Sequence, residues 1–480
     1  MSDSLKKIPV KVVNSKQDEV VEISLFEQAK KIYPRQAKGL FNNWRIALVV
    51  ITQLVFYGGP WLQWNDRQAI LFDVLNRKFY IFGLVLWPQD FVLLAALLVL
   101  SAFGLFWWTA IAGRLWCGYA CPQTVYTEIF LWIEEWIEGD RPKRIKLDEA
   151  PFSANKLRIK ASKHTVWILL SFWTGFTFVG FFTPIHLLWN EMLAFRMGPW
   201  EMFWVVFYGF ATYGNAGFMR EQVCKYMCPY ARFQSAMFDQ DTLVISYDAE
   251  RGDPRGSRRK NSDYKQQGLG DCVNCGICVQ VCPTGIDIRD GLQYECIGCA
   301  ACIDACDDVM EKMNYPKGLI RYTTENALNH TYKESDFLKR LLRPRIVIYT
   351  VILVVTAAAM VATLAMRLPV RLDIIRDRSV LVKETSDGWL ENLYQVQVIN
   401  TEEQPRQFRL NVSGLPGIKL TPNEIITVPA AATYELNVSV QVEPQNAPAG
   451  SSKIAFDITA VDNAEVKSTA QSSFIGLSRR

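Results

Sequence analysis

Long apolar runs alternate with charged stretches over the first 366 residues, and a two-residue alternation takes over after Leu368. Five runs lack Asp, Glu, Lys and Arg and are long enough to cross a bilayer as helices: Ile46–Asn65, Phe91–Gly113, Thr165–Asn190, Met202–Met219 and Ile346–Met366. The fourth is the shortest, and its glycines and asparagine weaken it as a helix. A further helix is predicted at about 122–138. There Val125, Ile129, Trp132, Ile133 and Trp136 recur among four glutamates, the pattern of a helix lying along a membrane interface. After Leu368 the stretches "LYQVQVIN", "FRLNVSG", "EIITVP", "YELNVSVQV" and "KIAFDITAV" alternate polar with aliphatic residues between turn signals. Short strands at regular spacing predict an immunoglobulin-like β-sandwich.

Charge orients these elements. Residues 1–45 carry nine Lys or Arg, loop 66–90 three, loop 114–164 nine and loop 191–201 only Arg196. Basic loops stay inside, so the N-terminus is expected in the cytoplasm and everything after the fifth span in the periplasm. The organisation read from the chain is a cytoplasmic segment 1–43 and a transmembrane domain 44–220, with spans at about 46–65, 91–113, 165–190 and 202–219. A cytoplasmic domain 221–344, a fifth helix 345–367 and a periplasmic sandwich 368–480 follow. Within the cytoplasmic domain, "RGDPRGSRRK" (251–260) reads as a solvated flexible linker, with attraction to anionic headgroups as the alternative. The first 43 residues hold no apolar run, so no signal peptide is expected.

Composition narrows the function. The 480 residues are 50% hydrophobic and 21% charged, and a net charge of +4 is too small to argue for nucleic acid. Three histidines stand against twelve cysteines, and the cysteines are clustered. Clustered thiols point to metal ligation in a reducing compartment, whereas the cysteine-free sandwich is compatible with an oxidising one.

Eight cysteines form two C-x-x-C-x-x-C-x-x-x-C runs: Cys272, Cys275, Cys278 and Cys282, then Cys296, Cys299, Cys302 and Cys306. In such runs three closely spaced thiolates wrap one iron–sulfur cube and the fourth ligates the other. One [4Fe–4S] cluster is therefore expected on Cys272, Cys275, Cys278 and Cys306, and a second on Cys282, Cys296, Cys299 and Cys302. Zinc sites or disulfides are the alternative, and the doubled spacing argues against them. Pro283 follows the first run. Asp307 stands where the second proline would be and removes no ligand.

Four cysteines are left over, in "CGYACP" (Cys117 and Cys121) and "CKYMCP" (Cys224 and Cys228). Each pair follows an arginine (Arg114, Arg220) and an inward-running span, so both are expected at one depth on the cytoplasmic face. Pro122 and Pro229 suit the first position of a new helix, which makes each motif an elbow. Buried free thiols are common, but they do not account for two matched pairs. Soft thiolates select copper(I), zinc or iron–sulfur centres. Two readings fit: the pairs bind and reduce copper, or all four hold one further redox centre. Arg114, Arg220 and Lys225 are expected to lower the thiol pKa values.

The histidines add little. His164 and His186 are 22 residues apart and bracket the third span, too far apart along a helix to share one haem. His186 reads as an interfacial residue, with a quinone or metal contact as the sharper alternative, and His330 as a surface residue. Tryptophans cluster at the span ends, the pattern of an aromatic belt. No nucleotide or flavin fingerprint is present.

Five spans, two CxxxCP elbows, a dicluster segment and a terminal sandwich together resemble the bacterial polyferredoxin family called CcoG, FixG or RdxA/RdxB. The likeness includes "NRKFYIFGLVLWPQDF" (76–91) and "GRLWCGYACPQTVYTEIF" (113–130). The elbows are shared with quinol-oxidising proteins of the NapH and NosR type. The resemblance implies an inner-membrane accessory protein of cbb3-type cytochrome oxidase that reduces Cu(II) to Cu(I), with Cys117, Cys121, Cys224 and Cys228 as its reactive thiols. Membrane lipid, a cytoplasmic electron donor, a copper chaperone or transporter and oxidase assembly factors are the partners it implies. Competing expectations are a quinol dehydrogenase, which would oxidise quinol itself, and a non-enzymatic scaffold, which would keep its role without cluster ligands.

Overall fold

The computed structural model describes residues 31–260, 263–330, 342–378 and 380–477. These form two compact units. One gathers residues from 31–51, 109–171 and 211–330, the other from 52–108, 172–210 and 342–477. Most of the expected N-terminal segment lies outside the described residues.

Among the described residues three helices are long and apolar enough to cross a membrane: Leu40–Trp61, whose last turn tightens to 3-10 geometry, Pro88–Ala112, likewise opened by a 3-10 turn, and Pro344–Ala365. Leu94, Leu97, Leu98, Val351, Val354 and Val355 on the last two are exposed, a surface suited to lipid rather than water. Helices lie at the second and fifth expected spans with bounds within three residues of those expected. The first starts six residues earlier than expected, because the Phe41 and Asn42 amides at its open end are taken by the Asp304 carboxylate.

The third and fourth expected spans take other forms. The third is not one helix over Thr165–Asn190. A helix Ala154–Val179 ends before Gly180, and a second, Ile185–Leu193, starts after Pro184. Proline cannot donate within a helix and disfavours helical geometry before it. Gly180 is pressed against Ile185 Cδ1 and its carbonyl accepts from Gln68, which also takes the Ile185 amide, so side-chain bonds secure the break. In the fourth, the α-helix Pro199–Thr212 runs on as a π-helical stretch Tyr213–Met219.

Loop 66–90 is largely strand. Ile70–Asp73, Lys78–Ile81 and Leu84–Leu86 form an antiparallel sheet tied to the sandwich within the same unit. Glu403 accepts from Trp64, Asn65 and Arg67, and Asp90 from Arg367 and Arg371.

The tail is a two-sheet antiparallel sandwich. One sheet runs Lys419–Thr421, Thr433–Val442, Leu390–Asn400, Val370–Arg376. The other runs Ile425–Val428, Arg406–Ser413, Gly450–Ala460, Lys467–Gly476. Alternate residues face inward, as Ile454, Phe456, Ile458 and Ala460 do, and meet Val396, Val398, Phe408, Val440 and Phe474 in one core. All five expected strands are present. Lys467–Gly476, rich in serine, was not expected. It is held by Tyr394 Oη donating to the Ser473 carbonyl at 2.9 Å and by Asn392 bonding both backbone groups of Ile475.

Residues 251–260 are not a solvated tether. Arg251 donates to Asp271 and to the carbonyls of Pro316 and Lys317, and Arg258 lies over the rings of Tyr264 and Tyr315. Arg251 thus satisfies turn carbonyls and Arg258 packs on tyrosines, while Arg259 and Lys260 are exposed.

Candidate iron–sulfur site

The two cysteine runs share an unusual backbone. In the first, Asn274 and Gly276 have φ of 52° and 66°; in the second, Gly298 and Ala300 at the same two positions have 69° and 58°. Left-handed residues fold each run into a tight concave loop and turn backbone amides inward. For Ala300, left-handed geometry costs about 1 kcal/mol, so something in the loop's surroundings must hold it there. The helix Ala301–Met313 then carries Cys302 and Cys306.

The thiols gather as three groups. Cys272, Cys275, Cys278 and Cys306 line one cavity with Tyr247 and Met310. Burial pushes Cys306 up to about 12, reinforced by Cys278, Cys272 and Cys275. Cys302 is driven well above the ordinary thiol value by burial and then by Cys299, Cys296 and Cys282. The third group is the elbows. Burial raises Cys224 to about 12, with Cys121, Cys117 and Cys228 adding to it. Among the described residues no three His, Cys, Asp or Glu side chains converge closely enough to hold a single metal ion.

The elbows have the expected geometry. Cys121 and Cys228 are extended, at φ −62° ψ 127° and φ −77° ψ 110°, and each caps a helix that starts on proline: Pro122–Glu138 and Pro229–Met237. Their partners differ locally, since Cys117 lies in a short helix, Leu115–Tyr119, and Cys224 in a π-helical turn, Val223–Met227. Sequence periodicity gives no signal for that turn.

The expected lowering of thiol pKa values does not occur. Burial dominates and lifts Cys117 to about 11, with Arg114 only partly opposing it. Arg220 is paired with Glu134 at 3.0 Å, and Lys225 donates to the Thr284 carbonyl. Glu134, 1% exposed, also receives Arg144 and Lys163 and pins the helix Pro122–Glu138.

The first elbow packs directly on the second cysteine run. A Cβ on Gly118 would lie 2.7 Å from the Gly298 carbonyl oxygen and 2.8 Å from Cys299 N and Cα. Cys117 and Cys224 pack with Cys299, Cys302 and Ile297. Arg114, flagged in the sequence only as a charge, donates to the carbonyls of Tyr294, Cys296 and Ala231 and so joins both elbows to the run. Tyr322 Oη donates to the Gly298 carbonyl at 2.6 Å and reaches Tyr119 Oη at 3.4 Å. Gln234, which the sequence did not single out, accepts from Cys117 Sγ at 3.5 Å.

The histidines stand apart from the thiols. His164 Nδ1 pairs with Tyr213 Oη, His186 with Gln63, and exposed His330 with Glu250.

Thiol loops of this form beside apolar spanning helices and an immunoglobulin-like tail define a membrane-bound iron–sulfur electron-transfer protein. Residues 219–325 match the 4Fe-4S dicluster domain, 94–144 a 4Fe-4S binding domain, and 360–477 the immunoglobulin-like fold at the C-terminus of FixG. The chain is 38% identical to the nitrogen fixation protein FixG of Rhizobium meliloti, over 82% of this chain and 81% of that protein. It is 37% identical to protein RdxB of Cereibacter sphaeroides, over 87% and 90%. A solved FixG-related protein from Vibrio parahaemolyticus is 28% identical over 22% of this chain and 96% of its own, with a TM-score of 0.21. The chain belongs to the FixG family.

Proposed function

We propose that this protein reduces Cu(II) to Cu(I) for assembly of the copper centre of a cbb3-type cytochrome oxidase. The observation that carries the reading is the contact of the CxxxCP elbow with the second cysteine run, Gly118 against Gly298 and Cys299. Bound [4Fe–4S] clusters supply one-electron transfer, held by Cys272, Cys275, Cys278 and Cys306 and by Cys282, Cys296, Cys299 and Cys302. Cys117, Cys121, Cys224 and Cys228 form the end of the relay that faces copper. The 4Fe-4S binding match over 94–144, which takes in Cys117 and Cys121, favours a third iron–sulfur centre there over a copper ion. Copper(II) is then a substrate that takes one electron and leaves as copper(I), and a reduced cytoplasmic protein supplies the electron.

The membrane arrangement belongs to the same proposal. The helix Ala154–Val179, 26 residues long, and the run of 14 α-helical and seven π-helical residues over 199–219 add two crossings to the three apolar helices. On this reading, the preference of basic loops for the inside supports cysteine runs in the cytoplasm and a sandwich in the periplasm of the bacterial inner membrane.

Iron counting with electron paramagnetic resonance, beside a Cu(II)-reduction assay, tests the reading in wild type and in a Cys117→Ser, Cys121→Ser variant. The double variant should lose one cluster's iron and the copper activity. Unchanged iron with loss of bound copper would make the elbows the copper site itself. Unchanged iron and unchanged copper reduction would overturn the proposal.

A further inference from the structure

Gln234 lies on the helix Pro229–Met237, six residues after Cys228, and is completely buried. Its Oε1 accepts the Cys117 thiol, while its Nε2, turned toward the Tyr230 hydroxyl, makes no hydrogen bond of good geometry. A buried amide N–H without a well-aligned acceptor is destabilising, and native interiors rarely keep one without a use. The arrangement suits Cys117 only while its sulfur carries a proton. Once that thiol ligates a metal centre the proton is gone, and a thiolate only accepts. Oε1 would then face Sγ⁻ repulsively. Because the two ends of the amide are nearly the same size, a half-turn about its last torsion presents Nε2–H to the thiolate without moving the helix. Tyr230 Oη, paired with Thr109 Oγ1, is left beside the rotated Oε1.

We propose that Gln234 is a positioning residue that donates an N–H···S hydrogen bond to the Cys117 thiolate and thereby raises the reduction potential of the centre held by the four CxxxCP cysteines. The inference rests on the proposed third centre. A donor aimed at a ligating sulfur stabilises the additional electron of the reduced state, which is how hydrogen bonds to sulfur set cluster potentials. This places the potential of the membrane-edge centre under the control of a side chain from the other elbow's helix. Either elbow alone would carry a differently tuned site.

Redox titration of the full chain, followed by electron paramagnetic resonance, is compared among wild type, Gln234→Leu and Gln234→Glu, with iron counted in each. Both variants should keep wild-type iron. The potential of the membrane-edge centre should fall in Gln234→Leu and fall further in Gln234→Glu, whose carboxylate opposes added negative charge, while the dicluster signals stay in place. Full iron with an unmoved potential overturns the role. Loss of one cluster's iron in Gln234→Leu and in the isosteric Gln234→Glu alike overturns it too, in favour of simple packing support. A wild type with iron for only two clusters overturns the third centre itself, and is distinguished by needing no variant.

Discussion

Gly118 and Cys299 meet backbone to backbone, so close that a methyl group on Gly118 would stand 2.8 Å from both N and Cα of Cys299. Residue 118 is the second residue of the CGYACP elbow, and Cys299 is the second thiol of the run that packs on it. The contact sets the distance between two groups of cysteines without any side chain at the point of contact. Gly118→Ala must push the two loops apart, because the obstructing atoms are backbone and cannot rotate away. The expected loss is about 1–3 kcal/mol of stability, as for other overpacked sites. Electron transfer between the elbow centre and the dicluster should slow, since rate falls with separation. Stopped-flow reduction of wild type and variant checks this; equal rates at equal iron content would remove the contact from the electron path.

Arg114→Lys should loosen the same joint from the other side. The guanidinium serves three carbonyls from two separate segments, Tyr294 and Cys296 in one and Ala231 in the other, a fan that one ammonium on a flexible stem cannot reproduce. Carbonyls left without their donor in a site where Arg114 is 6% exposed are expected to remove about 1–3 kcal/mol. Lysine retains the positive charge. If thermal unfolding of Arg114→Lys matched wild type, charge alone would be what the joint requires.

These two residues also mark how far the sequence could be read. The eight-cysteine spacing and the two CxxxCP repeats were visible because ligand spacing is local, as were the elbows, because proline dictates the extended residue before it. The sandwich was legible for the same reason, since alternation is a property of each strand alone. What could not be read were relations between distant segments. Gly118 looked like an ordinary small residue, and Arg220 looked free to act on Cys224 until Glu134, 86 residues earlier, took it. The break at Gly180–Pro184 was hidden by unbroken hydrophobicity, which measures affinity for lipid and is blind to backbone geometry. Burial, invisible in a local window, reversed the expected shift at Cys117 and Cys224.

Glu134→Gln should be the most damaging single change on the helix Pro122–Glu138. The carboxylate lies within 4.0 Å of Lys31, Arg144, Lys163 and Arg220, three of which are themselves buried. Burial works against its charge, but Arg220, Lys163, Lys31 and Arg144 together hold the carboxyl below its ordinary range. Removing the anion leaves neighbouring cations uncompensated, and breaking such a buried network by one partner is worth about 3–5 kcal/mol. Intrinsic tryptophan fluorescence during unfolding, with Trp167 beside Lys163, should report a lowered midpoint. A variant with unchanged stability would mean that Glu138 and Asp148 absorb the displaced charge.

Asp148 makes the acid limb of stability testable. Burial would raise its carboxyl, yet hydrogen bonds from Lys160, Lys31 and Tyr33 overcome that and hold it well below the usual carboxylate range. A carboxyl depressed in the folded state contributes stability that is complete above its unfolded pKa, about 3.9, and that disappears as pH falls toward the folded value. Asp148→Asn removes this contribution at every pH. The variant should therefore unfold at a lower temperature than wild type near neutrality, and the gap should stay constant down to about pH 5, then narrow as the solution is acidified below about pH 4. The side chain is part-exposed, so added salt should shrink the neutral-pH gap. Melting curves of both proteins at matched ionic strength give the answer: a gap of constant size through the acid range would show that Asp148 acts through its shape and hydrogen bonds rather than through its charge.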